Sequence, residues 1–457
     1  VAPLLLRLHF YAGILIAPFL VVSALTGLGF VFTPQLDQLV YADELRVAQV
    51  QPAVRPLTEQ VTAAIAAHPD GAVASVIPPA TVDATTQVVF AVTGLGEKQH
   101  TVYVDPYTNE VRGTLVTWFG ETPMMTWFDD LHRNLLLGDV GRHYSELAAS
   151  WLWVIALGGL VLWLRRQRGR RNKVRATLSP DLSARKGVRR TRSWHAATGI
   201  WLTVGLLILS ATGLTWSRYA GDNFATVLDT FNAHTPILPT TVDKAATTGG
   251  GHHHGGGGAP APADLTIVDQ TVATARAEGL SGPIEVTVPG AGGVWTVTQT
   301  DNVWPVHLDR VAIDSTGHTV AARSNFAEWP LLAQLSKLGV QAHMGNLFGI
   351  VNQLLLAALA IGLLCVIVWG YRMWWQRRPT RVDRPALVGT PPARGGWLRL
   401  PASAIAIGVP VVFAIGWALP LLGVSLAAFL VFDLAAGAVR RRRRVQVVPT
   451  SPAPAGT

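Results

Sequence analysis

The chain has 457 residues, 49% of them hydrophobic and only 14% charged, with a mean hydropathy of +0.32 and a formal net charge of +9. These proportions exclude a wholly soluble domain and fit a membrane protein with several spans and sizeable polar parts. The lone cysteine, Cys365, rules out an intrachain disulfide, so any polar part folds without a covalent staple.

No charged residue interrupts Leu8 to Phe32, about the length that crosses ~30 Å of hydrocarbon at ~1.5 Å per residue. The run is longer than a signal-peptide core and lacks a small-residue cleavage site, so residues 4–32 are expected to form a first span. Residues 33–146 then turn polar. They hold a helix-like stretch, Leu57 to Ala67, and alternating runs at Gln87–Thr93, His100–Asp105 and Glu110–Leu115 around the turn Pro106–Asn109. One helix on a small antiparallel sheet, an α+β module, is the expectation. A second span, 147–164, leads into a basic loop, 165–193, and a third span, 194–217.

Residues 218–345 repeat the module: Leu265 to Ala277 as helix, then Ile284–Val288, Val294–Thr300, Val311–Asp314 and His318–Ala322 as strands. Asp105 and Asp314 open equivalent turns, where a carboxylate bonds its own backbone. A Gly- and His-rich linker, 240–263, reads as low-complexity chain. A fourth span, 346–371, is followed by a basic linker, 372–400. The apolar run 401–439, broken by Pro410 and Pro420, suits a hairpin of two short helices ahead of an Arg-rich tail, 440–457. The fold class expected is a membrane all-α bundle, with a four-helix core from a tandem repeat, two C-terminal helices and two extracytoplasmic α+β modules.

Charge sets the orientation. The loop 165–193 holds twelve Lys and Arg against one acid, Asp181, while the two long loops hold twenty-five of the twenty-eight acids. By the positive-inside rule the short basic segments and both termini are cytoplasmic and the long loops lie outside. Topology signals and contacts with membrane lipid explain the Arg runs, and nucleic acid is not an expected partner.

The spans carry histidines in matched copies. His9 precedes Gly13 by four residues and Thr26-Gly27 by seventeen, and His195 stands in the same relation to Gly199 and Thr212-Gly213. His132 and His343 each precede a glycine by six residues, near the outer ends of the second and fourth spans. An ionisable side chain in an apolar helix is expensive and marks function. With the two halves facing each other, His9 would meet His195 and His132 would meet His343. Two facing imidazoles are the axial ligands of a six-coordinate b-type haem, and Gly13 and Gly199, one turn along, would leave room for a porphyrin edge. There is no Cys-x-x-Cys-His, so a haem would be non-covalent. The alternative is that these histidines cap helix ends. His252, His253 and His254, on a glycine tether, are candidates for transient metal capture. Trp118, Trp127, Trp304 and Trp329 are candidates for an apolar docking surface on the modules.

The doubled His-x3-Gly…Thr-Gly helix, the Asp-Pro-type turn and the His-x5-Gly before each even span resemble the PepSY-associated transmembrane family over roughly residues 4–376. Within it the chain is similar to iron-regulated, ferric-siderophore-reductase-like inner-membrane proteins. The resemblance implies two PepSY-like modules, and two bis-His haems b held by His9, His195, His132 and His343. It further implies reduction of a ferric siderophore or other iron chelate outside the cytoplasmic membrane, in iron acquisition. No nucleotide-binding fingerprint appears, which leaves a quinol or another membrane electron donor. Two other functions stay open: a non-enzymatic anchored module binding a peptide, protease or envelope partner, and an iron or siderophore transporter. The transporter is disfavoured because the spans show no buried acid or paired charge except Asp433.

Overall fold

In the computed structural model, which describes residues 2–168, 173–238, 264–290, 293–378, 392 and 401–445, the first apolar run is broken in the middle. Helices α1 (Ala2–Leu15) and α2 (Ala17–Phe30) meet at a bend of 56°. The bend falls at Pro18, which has no N–H to give the carbonyl of Ile14 and whose ring crowds the preceding turn. That carbonyl instead accepts the Tyr371 hydroxyl, 2.9 Å away. The repeat partner of Pro18 is Val204, and its helix is continuous.

The rest of the chain runs α3 (Thr33–Val40), α4 (Ala42–Leu45), α5 (Leu57–Ala67), strands β1 (Ala72–Ile77), β2 (Thr86–Ala91), β3 (Gln99–Val104) and β4 (Val111–Thr117), then α6 (Pro123–Asn134). A long helix α7 (Gly138–Gln167), a short α8 (Lys173–Leu178), α9 (Val188–Leu214) and α10 (Tyr219–Thr230) follow. The second half has α11 (Val268–Ala277), β5 (Ile284–Thr287), β6 (Trp295–Gln299), β7 (Arg310–Ile313), β8 (Val320–Ser324), α12 (Leu331–Met344), α13 (Gly349–Gln376), α14 (Ala402–Ala418) and α15 (Pro420–Val445). Among the described residues, α7, α9, α13 and α15 are long and apolar enough to cross a membrane, and α1 with α2 makes a fifth span if the bent pair counts as one. At 17 residues α14 falls short of that length, so four or five spans among the described residues meet it. This is a multi-pass membrane protein.

The chain forms two compact units. One comprises Leu25–Leu136 and Ala225–Ala358, and the two modules expected from the sequence are a single body within it. Their sheets join edge to edge through β1 and β5, where Val76 pairs with Val286, giving one antiparallel sheet in the order β4-β3-β2-β1-β5-β6-β7-β8. Helices α5 and α11 bury Val61, Ala64, Val268 and Ala275 against Val88, Phe90, Val102, Trp295, Val297 and Ile313. Each large apolar side chain so covered contributes about 1.5–3 kcal/mol. The halves are further joined at a helix end, since the Asp269 carboxylate accepts the N–H groups of Leu57 (2.7 Å) and Thr58 (2.9 Å) at the start of α5. Asp269→Ala should destabilise that end by about 1–2 kcal/mol. The check is faster amide exchange over Leu57–Ala67 in the full-length protein; unchanged exchange would deny the cap its role.

The other unit comprises Val1–Ala24, Leu137–Phe224 and Leu359–Thr457. Helix α7 packs on α1, α9 and α15, with the Ser210 hydroxyl donating to the Ala149 carbonyl (2.7 Å) and the Trp151 indole to Ser425 (2.9 Å). Asp433, the exception noted among the spans, is both buried and paired. Arg7 on α1 and Asp433 on α15 form a buried ion pair, and the second guanidinium nitrogen donates to the Pro392 carbonyl. Glu146 on α7 is also buried, but it serves as a cap, accepting the N–H groups of Tyr219 and Ala220 at 3.0 Å.

Candidate functional site

In the helical unit, His9 and His195 come together with ring centres 6.4 Å apart and planes at 84°. Each ring is fixed by a backbone carbonyl of the span that follows it in sequence. His9 Nδ1 lies 3.0 Å from the Ile155 carbonyl and His195 Nδ1 lies 2.8 Å from the Val366 carbonyl. In a helix such an oxygen already accepts the N–H four residues on, but it has a second lone pair. The residues four on are Gly159 and Gly370, which have no side chain to cover it. A Cβ on Gly159 would sit 2.9 Å from His9 Cε1, and one on Gly370 would sit 3.7 Å from His195 Cε1. Both repeats thus use one device, a carbonyl uncovered by glycine. Because a carbonyl only accepts, Nδ1–H is the donor, and Nε2 of each ring keeps its lone pair.

The second pair, His132 and His343, lies in the sheet unit, with ring centres 6.3 Å apart and planes at 68°. The sequence places these residues near the ends of the even spans. They stand on the separate helices α6 and α12 that precede those spans, each closed by a left-handed residue, Leu135 or Gly345. The conserved interval to the next glycine in each copy has a backbone cause. Gly138 and Gly349 open α7 and α13 with φ of +57° and +53°, the left-handed region in which glycine is unstrained. His132 Nδ1 lies 2.9 Å from the Thr26 hydroxyl, and a Cβ on Gly27 would reach 3.4 Å from its Cε1. Thr26-Gly27 is therefore a seat for an imidazole: one residue bonds it and the other makes room. Burial, reinforced by repulsion from His132, pushes the His343 pKa down to about 4, so its ring is neutral and able to ligate at ordinary pH.

A side chain at Gly13 or Gly199 would meet no atom within 4 Å, so neither glycine is required for packing between helices. His252, His253 and His254 lie outside the described residues. Among the described residues no three His, Cys, Asp or Glu side chains converge as a metal cluster. Each histidine pair thus offers two nitrogen donors, too few to complete a structural zinc site, and would be able to hold a haem iron. A third pair escaped the sequence reading: His68 Nε2 and His100 Nδ1 lie 2.7 Å apart, with His68 stacked on Phe90. Of the four tryptophans expected to form a docking surface, Trp329 is buried under Arg310 and bonded to Ser324, so it is core. Trp127 and Trp304 are exposed.

Next to α6, burial and the nearby Asp129 carboxylate raise the Glu121 pKa to about 7. A carboxyl raised in the folded state binds its proton more tightly than in the unfolded chain. Its contribution is therefore full below the ordinary value of about 4.5 and is lost as pH rises through about 7. Glu121→Gln should flatten the stability-versus-pH curve between those limits. Thermal melts at several pH values check this, and an unchanged slope would count against it.

Compared with known families, residues 6–377 match the PepSY-associated TM region. No curated protein matches the chain.

Proposed function

The chain belongs to the PepSY-associated TM region family, and from that premise and its two histidine pairs we propose that it is a haem-carrying electron-transfer protein of the cytoplasmic membrane. Its substrate would be ferric iron on the extracytoplasmic side, held by a siderophore or similar chelate. The carrying observation is the geometry of the pairs, whose ring centres are 6.4 Å and 6.3 Å apart. Two imidazoles bound to one metal from opposite sides, with metal–nitrogen bonds of about 2 Å, have ring centres about 6 Å apart.

The donor chemistry fits as well. Ile155 and Val366 carbonyls hold the His9 and His195 rings by Nδ1 and leave Nε2 for iron, the arrangement that fixes tautomer and raises ligand basicity. The Thr26 hydroxyl, 2.9 Å from His132 Nδ1, orients that ring as well, and as a group that both donates and accepts it leaves the tautomer open. Gly13 and Gly199 leave a helix face uncovered beside the first pair, where a bulky macrocycle edge needs it. A haem so held supplies one-electron transfer through its iron. The protein's own groups would set the potential, and all four imidazoles are half-buried. Reduction weakens a hard-oxygen ferric chelate, since ferrous iron is less suited to those ligands.

With the basic loop and both termini assigned to the cytoplasm, the donor would be a quinol or another membrane reductant. The test is direct mixing. Protein reduced without oxygen and then given a ferric hydroxamate should show ferrous iron in a colorimetric trap, at a rate far above that of the His9→Ala/His195→Ala variant. Equal rates would sink the reductase reading.

A further inference from the structure

At the basic end of the helical unit lies a concavity of about 1020 Å³ that the histidine chemistry does not use. Its lining includes Arg166 from the end of α7, Arg175 from α8, and Arg189 and Arg192 from the start of α9, against one carboxylate, Asp181. We propose that this basin is a binding site for a phosphate-bearing anion.

Three observations carry the inference. First, the arginines come from three separate helices and converge on a hollow, rather than lying along one solvated face. Like charges gathered this way repel one another unless an anion joins them. Second, the one acid is already engaged: Asp181 holds Arg189 at 2.7 Å and also accepts from Ser183. The guanidinium groups of Arg166 and Arg175 have no carboxylate partner among the described residues. Third, the walls are tied down. The Trp163 indole donates to the Thr177 carbonyl (3.1 Å), the Trp201 indole to the Leu178 carbonyl (3.0 Å), and the Asp181 N–H to Ser193. Such a frame presents its cations with little ordering left to do on binding.

Guanidinium forks match phosphate oxygens two at a time, which a point charge cannot do. The hollow is larger than one phosphate group requires, and Pro180 and Leu182 add apolar surface to its rim. The ligand therefore carries an organic part or a second phosphate. That chemistry has two sources, the headgroup of an anionic phospholipid and a soluble phosphate compound.

The experiment separates them. Full-length protein in a neutral detergent is titrated by calorimetry with pyrophosphate, and separately with a short-chain phosphatidylglycerol against phosphatidylcholine. At least one phosphate probe should bind at one site. Arg166→Gln/Arg175→Gln should weaken it by at least about ten-fold, while Arg165→Gln, a neighbour outside the lining, should leave it within about two-fold. Binding of pyrophosphate alone identifies a soluble ligand, and preference for phosphatidylglycerol identifies a headgroup. Both arginines are exposed, so the fold should survive. As a second variant, Arg166→Lys/Arg175→Lys keeps the charge and should bind with intermediate affinity. The proposal is overturned if neither phosphate probe binds, or if Arg165→Gln weakens binding as much as the double variant does.

Discussion

Replacing His9 with alanine should cost the protein the haem of its helical unit and leave the other in place, so that haem content falls by about half. The pair cannot be completed from elsewhere, because His195 is the ring that meets His9 and its own Nδ1 is committed to the Val366 carbonyl. Ferric-chelate reduction should fall by at least about ten- to a hundred-fold, the range seen when a metal site loses its supporting shell. Free imidazole should restore part of the haem in His9→Ala, since that variant keeps the cavity its side chain filled. Gly159→Val is a sharper companion, for it leaves all four histidines in place. Its first side-chain carbon would lie 2.9 Å from His9 Cε1 and force the ring off the Ile155 carbonyl. It should reproduce the spectral loss of His9→Ala. If Gly159→Val keeps full haem content, the carbonyl–imidazole bond is not what positions the ligand.

The second large effect concerns Arg7 and Asp433. Both side chains are more than nine-tenths buried, and Arg7 also stacks over Tyr11, 4.8 Å from its ring centre. Arg7→Leu would leave a carboxylate in an apolar surrounding with its strongest partner gone, at a cost of about 3–5 kcal/mol. Much of that cost is desolvation of the orphaned charge rather than lost attraction. The double variant Arg7→Leu/Asp433→Leu should therefore recover most of the stability, since a packed apolar pair replaces a buried ion pair at little net cost. Thermal unfolding of the wild type, the two single variants Arg7→Leu and Asp433→Leu, and the double variant in detergent completes the cycle. Additive losses would mean the two residues act separately and that α15 is held to α1 by packing alone.

How much of this was legible before the structure depends on where each signal is written. The histidine pairs were readable because side chains carry them: an ionisable residue in an apolar run, repeated at the same interval, has few explanations. The turns at Asp105 and Asp314 were readable for the same reason, and the Asp105 carboxylate does accept the Tyr107 N–H at 2.9 Å. What was missed is written in the backbone. Ile155 and Val366 contribute only a carbonyl, and no residue type encodes that. The one available clue was a glycine four residues later in both copies. The joining of two modules into one sheet rests on backbone bonds between β1 and β5, which alternation of side chains leaves unspecified. Strand β1 itself carries no clean alternation, and a register shift between Val73 and Ser75 shows why. Pro18 carries the signal of a break, which the expectation of a single first span over residues 4–32 did not use.

The most direct test is haem stoichiometry, by redox difference spectrum, on protein made with ample haem. Four forms are compared: wild type, His9→Ala/His195→Ala, His132→Ala/His343→Ala, and the variant lacking all four histidines. The expected result is about two b-type haems in the wild type, about one in each pair variant and none in the last. A wild type without haem bands, or a four-histidine variant that keeps them, would contradict the assignment of these imidazoles as ligands.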